Sequence, residues 1–477
     1  MEFINNTPSP ALSFEGVDTQ QEFHVIVMRQ TYTWDEKGLL HLTDEQDPLC
    51  MMDEIVDPND VMSGVIQESD LCHYKPKCDI IINGHAYAPH RKNVKSFMAS
   101  VQVQTPNKVI FAESIQSSKY QFQERQQKEK LPRISQRIKG DVLIDKKLLI
   151  TGEQYIERIE ESVTGSYRLF AGAVIKIDKV SLNPSSSLGG YCALDSEQPN
   201  LDAMDESLLI PVEDRVVIPI KDHTTRIAYF NQYDGNPYGT GYLTSEYIET
   251  ITPRQIISKQ VAIPPLQYPQ QSITDVTLTQ LLNNKKDDNQ QERFTQMVAG
   301  FGICAKSHPQ RHQYIGNIDD AYLERIKEAT TAQEMIPDGF DFAIWNCAYP
   351  DQQTEHLKGN EWITLTNLCD LDTPAATINP NGDTKLILYL PEALATLVTK
   401  SSLEDYPDAE VPMKLDTVSI HPDNQKVNLV WRGIIAASYE PEVIVLEYVS
   451  PEKHQQILKE HFTQKGDIVR PYKEAQS

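Results

Sequence analysis

The sequence has few basic residues relative to its acidic ones. Lys and Arg number 44 against 68 Asp and Glu, so the formal net charge is −24 at pH 7. Such a field repels a phosphate backbone and an anionic membrane surface, which predicts that the chain binds neither nucleic acid nor membrane. It favours basic protein partners, although an acidic surface that only maintains solubility is an equal alternative.

The sequence also lacks a long hydrophobic run. No apolar run approaches the ~18 residues that a membrane-spanning helix needs. Met1–Pro8 has neither the basic nor the apolar region of a signal peptide. The seven cysteines form an odd, scattered set, which is typical of buried free thiols in a reducing cytosol. We therefore expect a cytoplasmic protein.

Familiar catalytic motifs are missing as well. The chain has no Gly-x-Ser-x-Gly elbow, no Walker loop and no His-Glu-x-x-His pair. Gly300–Ala305 matches a dinucleotide-binding turn, but Pro309 would interrupt the helix that such a site requires, so we predict a tight structural turn. Asp370–Thr373 has the paired carboxylates of a magnesium site, but Pro374 favours a turn. The sequence predicts neither an enzyme nor a cofactor.

One group of cysteine and histidine residues has the composition of a metal site. Zinc sites usually space their cysteines about two to four residues apart. Here five residues separate Cys72 from Cys78, and no second cysteine pair follows. We predict buried thiols and surface histidines that bind no zinc. The group consists of Cys72, His73, Cys78, His85 and His90.

Strand-forming runs dominate the chain. The longest joins Phe23–Met28 to Thr31–Trp34, and both are rich in β-branched and aromatic residues. Near the C-terminus, Asp416–Ile420 and Val427–Trp431 flank turn-forming residues, a pattern that predicts a hairpin. Further strands are predicted at Asp79–Ile82, Val109–Phe111, Leu169–Ile177, Val216–Ile220, Leu386–Leu390 and Val443–Leu446.

Helical patterns are fewer. Ile318–Ala332 places Leu323 and Ile326 on one side and acidic residues in its first turn. A second helix is predicted at Thr274–Asn283, and a third begins at Ser450 and continues to Phe462. Polar or proline-rich loops are predicted at 183–187, 264–271 and 283–291.

These patterns predict a mainly β fold with a few helices, of the α+β type, in two closely packed β-rich parts. The length suggests about two or three domains. The N-terminal part covers residues 1–235. The C-terminal part, residues 236–477, is mixed and ends in the hairpin and a helix.

Several unusual strings remain. The longest, Ser69–Pro89, combines a proline-marked loop, the buried strand at Asp79–Ile82 and a turn at Asn83–Gly84. The others are Asn236–Gly241, Pro337–Asp341, Ala348–Gln352, Gly359–Glu361, Asp416–Val418 and Trp431–Gly433.

In this order and at these distances, the strings resemble a bacterial family first catalogued as a domain of unknown function. The resemblance runs from about Val25 to Gly433. It implies a cytosolic chaperone or adaptor of a Gram-negative bacterium that loads a toxic effector onto the type VI secretion spike. The implied partners are a PAAR-type effector or associated toxin and the VgrG spike. The family has no agreed catalytic residues, so the resemblance implies none.

The strings supply the candidate site residues, which hold the fold or contact a partner. Their glycine and asparagine residues provide turn dihedrals. Trp431 is expected in the core, and Arg432 is expected to pair with a carboxylate such as Asp416 across the hairpin. The candidate set is Asp70, Lys75, Pro76, Asp79, Gly84, Asn236, Pro237, Gly239, Gly241, Asp351, Gln352, Trp431 and Arg432.

The chain departs from the family at three places, one of which is a polar insertion around Asn284–Gln291. Val142 follows Gly140-Asp141 where arginine is common, and a Trp-x-x-Arg element is replaced by His308–Arg311. These departures bear on which effector is carried.

Two other functions remain as alternatives. One is an enzyme that modifies the effector or the spike, and the other is a structural part of the spike or baseplate. The only plausible polar cluster for such an enzyme is Asp70, Lys75, Asp79 and His85.

Overall fold

A computed structural model describes most of the chain. The described residues are 1–56, 65–106, 140–152, 154–161, 166–171, 174–182, 260–263, 265–271, 299–304, 306, 309–391, 394–401 and 409–449. The predicted elements at Val109–Phe111, 183–187, Val216–Ile220, Thr274–Asn283, 283–291 and Ser450–Phe462 lie outside these residues.

Strands dominate the described residues, so the predicted mainly β class is confirmed. In the first half of the chain they are β1 (Glu2–Asn5), β2 (Ala11–Val17), β3 (Glu22–Trp34), β4 (Leu40–Leu42), β5 (Glu54–Ile55), β6 (Val65–Gln67), β7 (Cys78–Ile82), β8 (His85–Tyr87), β9 (Ser96–Gln104), β10 (Val142–Thr151), β11 (Gln154–Glu161), β12 (Ser166–Ala171) and β13 (Lys179–Ser181). In the second half they are β14 (Gln260–Ile263), β15 (Leu266–Gln267), β16 (Gln353–Thr354), β17 (Trp362–Thr366), β18 (Thr377–Ile378), β19 (Thr384–Tyr389), β20 (Leu394–Ser401), β21 (Ala409–Pro412), β22 (Lys414–His421), β23 (Lys426–Ala436) and β24 (Pro441–Val449).

The largest sheet positions the candidate site. Its strand order is β16-β7-β22-β23-β3-β2, and β4 also pairs with β3. β7 lies parallel to β22, whereas β22, β23 and β3 are antiparallel neighbours. Strands from before and after residue 235 therefore lie side by side in one sheet. The predicted boundary itself falls outside the described residues, and the division into two parts stays a prediction.

Two further sheets pack against the same core. One has the antiparallel order β15-β10-β9-β17-β19-β18, and the other has the order β1-β24-β20-β21 with β1 parallel to β24. Buried side chains from all three sheets, such as Ile80, Val101 and Leu446, belong to one hydrophobic cluster. Smaller pairings are β12-β11-β14, β13-β8 and β5-β6.

The C-terminal hairpin is confirmed. β22 and β23 pair along their length, so both predicted runs are strands that extend beyond the predicted ends. A short 3-10 turn at Pro422–Asn424 connects them, and Gln425 closes it with a left-handed φ of 51°. The register shifts between Leu415 and Thr417, so Asp416 is the extra residue of a β-bulge.

The other strand predictions have mixed outcomes. The runs at Phe23–Met28 and Thr31–Trp34 form the single strand β3, and the runs at Asp79–Ile82, Leu386–Leu390 and Val443–Leu446 correspond to β7, β19 and β24. The run at Leu169–Ile177 was wrong in extent, because β12 ends at Ala171 and Ile177 only forms an isolated bridge with Val94. The predicted loop at 264–271 contains the short strand β15.

Helices are short in the described residues. They are α1 (Pro309–His312) and α2 (Asp320–Glu328), with 3-10 turns at Pro89–Arg91, Pro269–Gln271, Gln333–Met335, Phe342–Trp345, Pro350–Gln352, Pro422–Asn424 and Ala437–Tyr439. α2 confirms the helix predicted over Ile318–Ala332, but it is shorter. Asp319 caps its N-terminus by accepting from the Tyr322 amide, and Ala329 is extended at its end. No helix among the described residues is long and apolar enough to cross a membrane.

Candidate functional site

The charged residues of the longest string lie inside the protein. Asp70, Lys75 and Asp79 are all buried, and Pro76 between them is half-buried. Asp79 belongs to β7, whose five residues are all buried because the strand lies inside the largest sheet between β16 and β22. Three further charged residues, Arg29, Asp416 and Arg432, are buried next to these charged side chains. We call the six together the charge cluster: Arg29, Asp70, Lys75, Asp79, Asp416 and Arg432.

Lys75 and Asp79 form the first part of the charge cluster. The Lys75 ammonium lies 2.8 Å from Asp79 Oδ2 and also donates to Thr417 Oγ1 at 2.9 Å. The parallel pairing of β7 with β22 places Thr417 directly opposite Asp79 and so brings this hydroxyl to the lysine. Burial lowers the pKa of Lys75, but the surrounding groups led by Asp79 outweigh it and hold the pKa well above its usual value.

Asp79 also fixes a loop from the other half of the chain. The amides of Cys347 and Ala348 donate to its two carboxylate oxygens at 2.9 and 3.2 Å. Asn346 Nδ2 adds a bond of 3.1 Å. These donors satisfy the hydrogen-bonding needs of the buried carboxylate. Asp79 therefore connects strand β7 to the loop that leads into the Ala348–Gln352 string.

Arg432 and Asp416 form the second part, and the predicted pairing is confirmed. Arg432 Nε lies 2.6 Å from Asp416 Oδ2. Burial lowers the pKa of the guanidinium, but the Asp416 carboxylate outweighs it, so the pKa of Arg432 is raised. Its NH1 also donates to the carbonyl oxygens of Asp70 and Cys72, at 2.9 and 2.7 Å. Asp416 in turn accepts from Thr417 Oγ1 at 3.0 Å, which joins this pair to the lysine pair.

Arg29 and Asp70 complete the charge cluster. Arg29 NH1 lies 3.2 Å from Asp70 Oδ2, which also accepts from the Cys50 amide at 2.8 Å. The charge cluster thus holds three cations and three carboxylates, each in contact with an opposite charge. Trp431, beside Arg432 on β23, is 1% exposed, as predicted, and its indole nitrogen donates to Gln30 Oε1 at 2.6 Å.

The charge cluster has little room for a ligand. The cavity beside it measures about 40 Å³ and is lined in part by Lys75, Asp416 and Arg432. Small-molecule sites usually measure about 300–1,000 Å³, so this cavity suits an ordered water rather than a substrate. Cys347, the neighbouring thiol, has a pKa raised well above normal by burial and by Asp79, which keeps it protonated and poorly nucleophilic.

The enzyme alternative named four residues that the structure only partly brings together. Lys75 and Asp79 touch, and Asp70 is joined to them through Arg432 and Asp416. His85 lies elsewhere: its Nδ1 is 2.6 Å from Asp423 Oδ2, and Tyr87 donates to the same carboxylate.

Gly84 belongs to the turn predicted between β7 and β8, and the turn is confirmed. Its φ of 142° is unfavourable for other residues, and an added Cβ would lie 3.0 Å from Asp423 Oδ2. The Asn236–Gly241 string, with Asn236, Pro237, Gly239 and Gly241, lies outside the described residues.

Gln352 and Asp351 have structural partners of different kinds. Gln352 is fully buried, and its Nε2 donates to the carbonyl oxygens of Ile80 and Phe301 at 2.8 and 2.9 Å. Asp351 is exposed, and it contacts Lys146 Nζ at 2.7 Å and accepts from Tyr268 OH at 2.8 Å.

Lys146 is a buried cation that the sequence patterns did not single out. Its side chain is fully buried, its Nζ lies 4.5 Å from the centre of the Tyr349 ring, and the rings of Tyr268 and Phe301 are near it. Burial lowers its pKa although Asp351 opposes the shift. A signal was present: Lys146 takes an inward position in the alternation of β10, in phase with Ile144 and Leu148.

The other candidate motifs have ordinary structural roles. In the Gly300–Ala305 motif, Ile303 bridges to Ala348, and Phe301 O accepts from the Ile82 amide. Asp370 closes a turn with Thr373, and both Asp370 and Asp372 pair with Arg91.

The cysteine and histidine group shows no metal-ligand geometry. Cys72 and Cys78 are buried free thiols, whereas His85 pairs with Asp423. In the part of the chain that the structure describes, no three His, Cys, Asp or Glu residues are grouped to hold a metal ion. The absence of zinc stays a prediction.

Comparison with known proteins gives one match. A family model described as an uncharacterized protein conserved in bacteria, DUF2169, matches residues 19–113 and 227–432, more than half of the chain. The matched ranges include the longest string and end at Arg432. No curated protein and no solved structure matches the chain.

Proposed function

We propose that this chain, which belongs to the DUF2169 family of conserved bacterial proteins, is a cytoplasmic chaperone and adaptor for a type VI secretion effector. In this function it binds the effector stoichiometrically and helps to load it onto the spike formed by VgrG and a PAAR-type tip protein. The proposal takes the function from the resemblance carried by the ordered strings.

The geometry of the charge cluster is the observation that favours a binding protein over an enzyme. The ionisable residues of the charge cluster are buried and paired with each other, and the adjoining cavity of about 40 Å³ is too small for a substrate. A general acid or base must reach its substrate within hydrogen-bond distance. These residues instead serve to hold strands β3, β7, β22 and β23 together.

The charge of the chain adds a physical expectation about the partner. With a net charge of −24, the protein attracts basic segments and repels acidic ones. If the acidic surface contacts the effector, association should slow as salt rises, because the field extends only about 8 Å at physiological ionic strength. If apolar contacts dominate, affinity should depend little on salt.

The test is to co-express the chain with the effector and spike proteins encoded beside it and to purify each pair. In parallel, the gene is deleted, and effector abundance and secretion are measured. We expect a stoichiometric complex with the effector, and loss of effector from the cell or from the secreted fraction after deletion. The proposal is wrong if the chain binds neither protein and the effector is made and secreted normally without it.

The same experiment separates the two alternatives. An enzyme would act at substoichiometric amounts and leave a covalent change in the effector or spike, which intact-mass spectrometry detects. A structural part of the spike or baseplate would be recovered with the secreted or assembled apparatus rather than with free effector in the cytoplasm.

A further inference from the structure

A segment of the second half of the chain is ordered although it contributes little to the core: near its end, Phe340 packs against the small cluster that contains Phe342. We use the name arm for residues 313–341, which lie between the buried Arg311 and Phe342 and include α2. Among the side chains of the arm that the structure describes, none is buried. Most stable helices owe their order to an apolar face packed on a core, so the arm needs another source of order.

The arm is held together by its own hydrogen bonds. Tyr322 OH donates to the carbonyl oxygen of Met335 at 2.9 Å. Arg325 donates to Asp338 Oδ1 at 2.8 Å and to the carbonyl oxygen of Ile336 at 3.0 Å. These bonds tie α2 to the returning segment. The arm is therefore a preformed surface, and preformed surfaces lose less conformational entropy on binding.

The base of the arm is anchored firmly to the body of the protein. Arg311 forms a bidentate ion pair with Glu68, in which NH1 lies 2.6 Å from Oε1 and NH2 lies 2.7 Å from Oε2. Its Nε also donates to the carbonyl oxygen of Ile344 at 2.7 Å. The two ends of the arm are joined where the Asp341 amide donates to Tyr314 O at 2.9 Å. The arm is thus held in a defined position.

Large apolar side chains are exposed on the arm. Ile318, Leu323 and Met335 are 53%, 43% and 50% exposed. Leu323 and Ile326, one turn apart on α2, line an open concavity together with Glu324 and Lys327. Apolar side chains on an ordered surface with a polar rim are typical of sites that bind another protein.

The charge of the arm indicates the chemistry of the partner. The arm carries seven acidic and two basic residues, a net charge of −5. Both basic residues already pair within the arm, Arg325 with Asp338 and Lys327 with Glu324. A second copy of this chain would bring another −24 to the surface and is disfavoured. A segment with an apolar stripe and flanking Lys or Arg residues has the complementary charge.

We propose that the arm is the docking surface for a basic, amphipathic segment of the effector. The proposal rests on the adaptor function proposed above. The effector segment lays its apolar side chains against Leu323 and Ile326, and its basic residues face the acidic residues of the arm. The apolar contact supplies affinity, and the charges supply orientation and a faster association.

The first test compares two exposed apolar positions. Leu323→Asp is compared with Ile378→Asp, an equally exposed isoleucine on strand β18 outside the arm. Binding of each full-length variant to the co-encoded effector is measured by titration, with the melting temperature as the folding control. We expect about a tenfold or greater loss of affinity for Leu323→Asp and no loss for Ile378→Asp, at unchanged melting temperatures.

The second test compares two charge reversals of equal size. Glu328→Lys, on α2, is compared with Glu36→Lys, an exposed residue outside the arm. We expect Glu328→Lys to slow association with the effector and to weaken its salt dependence, and Glu36→Lys to change neither. Equal effects from both would mean that only the overall charge matters and would overturn the docking surface.

A synthetic probe separates this proposal from the adaptor function. A helical peptide of leucine and lysine is compared with the same peptide carrying glutamate for lysine. We expect binding of the lysine peptide alone, and loss of that binding in Leu323→Asp.

The outcomes distinguish the docking surface on the arm from the adaptor function of the whole protein. If wild-type protein binds the effector and Leu323→Asp binds it equally tightly, the docking surface is wrong while the adaptor function stands. If wild-type protein does not bind the effector, the adaptor function fails and this proposal with it. Dimers that disappear in Leu323→Asp would assign the arm to a second copy of the chain and would also overturn the proposal.

Discussion

Charged residues lie in opposite environments in the charge cluster and in the arm. In the charge cluster, three cations and three carboxylates are buried and matched, and they join strands from both halves of the chain. In the arm, acidic residues outnumber basic ones by seven to two, and no described side chain is buried.

This difference assigns the charge cluster to the stability of the fold and the arm to the recognition of a partner. Removal of one partner from a buried pair leaves an uncompensated charge and is costly, whereas exposed charges contribute little to folding. Substitutions in the charge cluster should therefore affect folding first, and substitutions in the arm should affect binding first.

The largest expected effect comes from breaking the central ion pair. Arg432→Met leaves Asp416 buried without its cation and should lower the free energy of unfolding by about 3–5 kcal/mol. Adding Asp416→Leu removes the unpaired carboxylate. The double variant should therefore lose less free energy of unfolding than the sum of the losses in the two single variants. Urea denaturation of all four proteins measures this coupling. Strict additivity would mean that the pair contributes nothing as a pair.

Trp431→Ala should have an effect of similar size, through lost packing and through the lost hydrogen bond to Gln30. Trp431 is 1% exposed in the core, so its truncation should cost about 3–5 kcal/mol. Effector binding would then fall through loss of folded protein. An unchanged melting temperature with lost effector binding would place Trp431 at the interface and contradict this view.

Mild acid should weaken the body of the protein through His421, and the arm contains no histidine. Burial, with the charges of Arg29 and Lys426, lowers the pKa of His421 to about 4 although Asp47 opposes the shift. Between pH 6.5 and 4 the unfolded chain therefore binds a proton that the folded chain does not. This contribution is fully present above pH 6.5 and falls by about 2 kcal/mol at pH 5.

His421→Gln provides the control for this acid effect. Urea denaturation at pH 7 and pH 5 should show a smaller loss of stability in the variant than in wild type. Equal losses in the two proteins would exclude His421 as the source.

The smallest expected effect on stability is in the arm. Leu323→Asp should change the free energy of unfolding by no more than about 0.5 kcal/mol, because Leu323 is exposed and makes no core contact. A loss comparable with that of Trp431→Ala would show that the arm is part of the folding unit. The difference between the arm, which serves binding, and the charge cluster, which serves folding, would then be lost, and the docking-surface proposal depends on that difference.

Local sequence patterns predicted many of the elements in the described residues. The two short runs at Asp416–Ile420 and Val427–Trp431, with the turn residues between them, predicted the hairpin, and Asn83–Gly84 predicted the turn after β7. The helix over Ile318–Ala332 was predicted too long, because the spacing of Leu323 and Ile326 does not locate a C-terminus. In the structure the carboxylate of Glu334 accepts from the Thr330 amide, beyond the end of α2.

The pairing of the candidate site residues was predictable only where the partners are close in sequence. Arg432 and Asp416 lie on the two paired strands of one hairpin, so their pairing followed from the pattern. Lys146 was missed because a lysine on an inward strand position has no expected partner until Asp351 and the aromatic rings are placed around it.

The sequence by itself determined the mainly β class, the buried strand β7 and the acidic character of the chain, because runs of β-branched and aromatic residues, turn residues and charge counts are local or additive properties. Only the tertiary structure decided which distant polar groups meet. Lys75 donates to Thr417, 342 residues away, because β7 lies parallel to β22. It also left most of the arm outside the core, since strand order and packing, not composition, decide which apolar side chains remain exposed.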